Sequence, residues 1–177
     1  YENGFGIGAI NGSLGSTTIS VIDKKSISRI NSGDVVLLHQ SQGSGAGKWE
    51  LNKAVNDLAG SGTLNLVYPL KNAYINGSGN FAQILRVPQY SVCNVTGTVT
   101  PLVSWNGEYG GLFAILCEDS ASITGTISAK GTGFRGGNPG WESVQGFTGE
   151  GIFGNWNTQS RTGSGGSGGG GSGAEHP

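Results

Sequence analysis

The sequence predicts a mainly β protein: a short β-solenoid or a β-sandwich, with one short helix and a Gly-rich C-terminal segment. Three observations point there. Apolar and β-branched runs of strand length recur through the first 127 residues, punctuated by Gly, Asn, Ser and Pro. A V/I-T-G-T-V/I step occurs twice, as Val95-Thr96-Gly97-Thr98-Val99 and, 28 positions on, Ile123-Thr124-Gly125-Thr126-Ile127. Glycine is unevenly placed: of 35 Gly, 17 fall in the last 50 residues, which hold five Leu, Ile, Val and Phe against 36 in the first 127. This division sets a β-rich body at 1–130 and a Gly-rich, aromatic segment with a polyglycine tail at 131–177.

The elements follow in order. Ser16–Ile22 is β-branched and bounded by Gly15 and by the Asp23-Lys24-Lys25 turn. Asp34–Gln40 (DVVLLHQ) is nearly continuous in apolar residues, as expected of a strand covered on both faces. Within Lys48–Ala59, Leu51, Val55 and Leu58 recur at helical spacing and Gly60 stands where a cap would end the turn, which predicts the helix. Thr63–Leu70, Phe81–Val87, Val92–Thr100 and Leu112–Cys117 read as further strands. Around the repeated step, Phe81-Ala82-Gln83-Ile84-Leu85 is echoed by Phe113-Ala114-Ile115-Leu116. A repeat of this length with β content points to stacked coils, since one coil cannot bury its inward face alone. Two similar hairpins of a sandwich would give the same echo.

Composition narrows the function. A chain of 177 residues fits one domain. Charged residues are 12% against a usual share of about 25%. With 10 basic and 11 acidic residues there is no footprint for nucleic acid. No apolar run approaches the ~20 residues of a membrane-spanning helix. The start at Tyr1 and the absence of Met predict a processed chain or an excised fragment. Cys93 and Cys117, 24 positions apart, read either as two small buried apolar residues or as one disulfide. With only His39 and His176 beside them, no metal-ligand spacing exists, and no metal or cofactor is expected.

Motifs for chemistry are weak. Gly43-Ser44-Gly45-Ala46-Gly47-Lys48 imitates a phosphate-binding loop, but Gln42 replaces the first Gly and Trp49 the Mg²⁺-holding Ser or Thr. It reads as a Gly-rich strand-to-helix connection. His39 sits in an apolar strand with no nucleophile elbow near it. Carboxylate pairs for glycoside cleavage could be drawn from Glu50, Asp57, Glu108, Glu118, Asp119, Glu142 or Glu150; adjacent Glu118 and Asp119 read as a solvated corner. Sequons at Asn11, Asn76 and Asn94 are compatible with an exported glycoprotein.

From Gly131 on, aromatics are spaced among glycines. They read either as a loop folding back onto the body or as a contact surface for a partner or a sugar. With those nearby in the body, the candidate contact residues are Trp105, Tyr109, Phe134, Trp141, Phe147 and Trp156. Thr162–Gly173 has the composition of a flexible linker, although such chains also pack as extended polyproline-II strands.

The strand-rich body, the V/I-T-G-T-V/I step, the Gly131-x-Gly133-Phe134-Arg135-Gly136-Gly137 run and the polyglycine together resemble Gly-rich β-helical surface proteins and adhesins of bacteria and their phages, over roughly Val92–Gly173. The resemblance implies an extracellular attachment or assembly role and carries over no catalytic residue. Low charge and open β edges lead to the same expectation: a non-enzymatic, self-associating structural module, forming filaments or a surface layer. The alternatives are an adhesin or a carbohydrate-binding β-helix, including a polysaccharide-cleaving one.

Overall fold

Six strands form one antiparallel sheet in the order β4-β3-β6-β1-β2-β5. They are β1 (Ile7–Asn11), β2 (Thr18–Lys24), β3 (Val35–Gln42), β4 (Trp49–Lys53), β5 (Gly62–Asn65) and β6 (Phe81–Val87). The computed structural model describes residues 7–24, 29–137, 147 and 149–152. Among the described residues there are ten strands and no helix, so the protein is mainly β.

The sheet curls until its edges touch. Ala54 and Leu66, just beyond β4 and β5, form an antiparallel bridge. Val55 N–H donates to Asn65 O (2.8 Å) and Val67 N–H to Lys53 O (2.9 Å). The concave face is the main core: Ile10, Ile19 and Val21 meet Val36, Leu38, Leu64, Leu66, Leu70, Tyr74 and Ile84. The period-2 alternation of a strand produces this face directly, as the burial of Val36 and Leu38 between half-buried Val35, Leu37 and His39 shows.

Lys48–Ala59 corrects one expectation. It is not a helix: Trp49–Lys53 is β4, paired with β3 through Leu37↔Leu51 and His39↔Trp49. Glu50, Asn52 and Ala54 face inward, whereas Leu51 and Val55 of the apparent helical stripe are exposed. The inward polar groups are satisfied in ways periodicity does not register. Glu50 accepts from Lys71 N, Asn72 N and Tyr74 Oη, and the Asn52 amide bonds Tyr68 N and O. Accordingly the Gly43–Lys48 stretch is a hairpin loop between β3 and β4, not a strand-to-helix connection. Gly43, Gly45 and Gly47 all take positive φ there, and Gly47 N–H and Lys48 O close the loop on Gln40.

Parallel stacking is confined to the second half. β7 (Gln89–Val95) pairs in parallel with β9 (Leu116–Ile123), and β8 (Thr98–Val99) with β10 (Thr126–Ile127). The described residues of 7–87 therefore form no solenoid coils: every ladder of their sheet is antiparallel, both in the sequential pairs β1–β2 and β3–β4 and between the more distant β3–β6, β1–β6 and β2–β5.

Candidate functional site

Pro88 carries the chain from β6 straight into β7, so the first parallel rung, β7–β8, leaves the body sheet directly. The segment after Pro101 then crosses the outer face of the body before returning as the second rung, β9–β10. On that face Leu85 and Tyr109 are buried against Leu37, Val103, Leu112 and Ala114.

The two copies of the repeated step lie directly over one another. Thr126 pairs with Thr98, Ile127 with Val99 and Ile123 with Val95. Thr124, Thr126 and Ser128 donate their N–H groups to Val95, Gly97 and Val99 carbonyls at 2.9 Å each. At the bend, a Cβ on Gly125 would meet the Gly97 carbonyl oxygen and lie 2.7 Å from Gly97 N, so only glycine fits. Cys93 and Cys117 are joined by a disulfide with Cα atoms 5.7 Å apart, tying one rung to the other.

These rungs are poorly covered for parallel sheet, which is ordinarily buried on both faces. Every residue of β9 except Cys117 is exposed, with Ile123 57% exposed. On β7, Tyr90 and Val92 stand about half out at 52% and 51%. Glu118 and Asp119 are exposed as expected, but they lie within β9 and not at a corner.

A second feature lies where the crossing segment covers the body. Two clefts, of about 490 Å³ and about 230 Å³, share His39 in their walls. The larger is apolar, with Leu37, Trp49, Leu51, Val87 and Phe113. The smaller adds Ser41, Gln83, Trp105 and Phe134. Gly110 N–H donates to Gln83 Oε1 (2.8 Å) while Gly110 O accepts from Gln83 Nε2 (3.2 Å), which fixes the amide orientation. Gln83 Nε2 also donates to Ser41 Oγ (2.7 Å), and Ser41 Oγ is hydrogen-bonded to His39 Nδ1 at 2.9 Å, in a direction set by the imidazole tautomer. Burial pushes the His39 imidazole below the ordinary range.

The aromatic candidates separate. Trp105 and Tyr109 are buried, and Phe134 is half-buried with its ring edge-on to Trp105 at 5.2 Å. The Phe81 ring also stands edge-on to Trp105, at 6.4 Å. Phe147 is half-buried, while Trp141 and Trp156 lie outside the described residues. Beside this cluster Arg135 grips the buried Glu150 carboxylate, Nε to Oε2 and Nη2 to Oε1, both at 2.9 Å. Burial by itself would raise the Glu150 pKa. The Arg135 side chain and backbone N–H outweigh it and hold the carboxyl below its usual range. The Trp105 indole N–H helps from nearby, although it stays outside hydrogen-bond geometry. Neither this pair nor the Gln83 chain had a signal in sequence spacing, because each joins residues from distant segments.

Among the described residues no His, Cys, Asp and Glu cluster could hold a metal ion, and no helix is long and apolar enough to cross a membrane. The chain matches no family model, no curated protein and no solved structure.

Proposed function

We propose that the protein is an extracellular structural module that self-associates, with the parallel rungs as the beginning of a β-solenoid. The observation that carries this is the bareness of those rungs. Sheets that among the described residues have two parallel strands and open edges, with Tyr90, Val92, Ile123 and Ile127 exposed, gain most by meeting more β structure. The Cys93–Cys117 disulfide suits an oxidising compartment. Electron microscopy of the native protein with a measurement of its mass tests the reading. Regular fibres or large closed assemblies are expected; a monodisperse monomer across a wide concentration range would overturn it.

A second reading, glycan binding, is favoured by one feature. The smaller cleft combines Trp105 and Phe134 rings with His39, Ser41 and Gln83 polar groups, a combination that suits a sugar ring. A glycan array on the intact protein with no hit removes it.

A further inference from the structure

We infer that the outer edge of the second rung, β9–β10, receives the first rung, β7–β8, of a second copy of this chain, head to tail and at the register already used within the chain. This rests on the self-association reading and names its surface. Gly97 is the observation that carries it. Gly125 must be glycine because its missing Cβ would strike the Gly97 backbone beneath it. Gly97 occupies the same place in the first rung, yet among the described residues a Cβ there meets nothing within 4 Å, and its φ is not positive. Among the described residues nothing calls for glycine at 97. A further rung stacked against Gly97, as the first rung is stacked against Gly125, does.

The edges are complementary in detail. Within the chain, Thr124, Thr126 and Ser128 of the second rung donate to Val95, Gly97 and Val99 of the first. The same 28-residue step carried to a neighbour makes Thr96, Thr98 and Thr100 of the incoming copy the donors and Ile123, Gly125 and Ile127 carbonyls the acceptors. Among the described residues, each of these rungs pairs on one side only. Charge selects the orientation. Stacking β9 on its own copy in register would set Glu118 and Asp119 against identical carboxylates, which is unfavourable. β7 and β8 carry no charged residue. A contact that joins one edge to a different edge leaves a free edge on each added copy, so it propagates into a filament or, where the rotation closes, a ring.

The test uses the full chain. Wild type and Gly97→Val are compared by sedimentation velocity over a broad concentration range, by thermal unfolding at high dilution, and by electron microscopy. In parallel, a Thr98→Cys chain is mixed with a Thr126→Cys chain under mild oxidation and the cross-links are mapped by peptide mass. The expected result is that wild type assembles, Gly97→Val stays monomeric with an unchanged unfolding midpoint, and the mixture yields 98–126 cross-links between chains. A wild type that never assembles defeats the self-association reading and this inference together. Assembly that survives Gly97→Val, or cross-links joining 126 to 126, defeats the stacking alone. A lowered midpoint of dilute Gly97→Val also overturns it, since the edge is then covered from within the chain.

Discussion

Tyr74 Oη donates a 3.0 Å hydrogen bond to Glu50 Oε1 inside the curled sheet, where both residues are buried. The same carboxylate receives Lys71 N at 3.0 Å and Asn72 N at 3.2 Å, so an inward-facing acid of β4 organises the loop that brings Tyr74 under the core. Burial, with the adjacent Glu50 charge, pushes the Tyr74 phenol well above its ordinary pKa.

Tyr74→Phe removes one of three donors and leaves Glu50 under-satisfied. A loss of about 1–2 kcal/mol in denaturant unfolding is expected. Glu50→Ala removes the common acceptor of all three and is expected to cost more, about 3 kcal/mol. Equal effects from the two variants would argue against this organising role. In an absorbance titration of the phenols, one tyrosine should stay neutral until the fold is lost.

His39 makes stability depend on mild acid. Its pKa is lower folded than unfolded, so the unfolded chain binds the proton more readily. Stability is fully present above the ordinary histidine value of 6.5 and falls as pH drops through it. Chemical denaturation between pH 7.5 and 5.5 should show this decline, and His39→Gln should flatten it. A profile unchanged by that substitution would contradict the buried neutral assignment.

Glu150 acts in a lower window. Its folded pKa is depressed, so its stabilisation is present above the unfolded value of 4.5 and is lost as pH falls through the folded value. Arg135→Ala strands a buried carboxylate and should cost about 3 kcal/mol at neutral pH. That penalty should shrink in acid, where Glu150 is protonated. A penalty independent of pH would show that Arg135 contributes packing alone.

Reduction of Cys93–Cys117 frees the second rung from the first. Closing a loop of 24 positions stabilises a fold by about 3 kcal/mol. The expected outcome is loss of amide-exchange protection across β7–β10, with protection across β1–β6 retained. Simultaneous loss from both would mean that the rungs and the curled sheet unfold as one unit.

Much of the local structure was legible in the chain itself. Flanking Gly79-Asn80 and Pro88 bounded β6 at Phe81–Val87, and the repeated step marked the two segments that stack in register, because pairing of like with like needs only sequence similarity and a bend that glycine permits. Tertiary pairing decided the rest. Leu51, Val55 and Leu58 carry a helical spacing, but β3 offers Trp49–Lys53 a full ladder, and Tyr74, Lys71 and Asn72 supply Glu50 with partners from a loop some twenty residues away. The curl of the sheet through Ala54 and Leu66, the Gln83–Ser41–His39 chain and the Arg135–Glu150 pair depend on contacts between distant segments. Periodicity reports which face of one segment is apolar; which surface comes to cover that face is settled only when the whole chain packs.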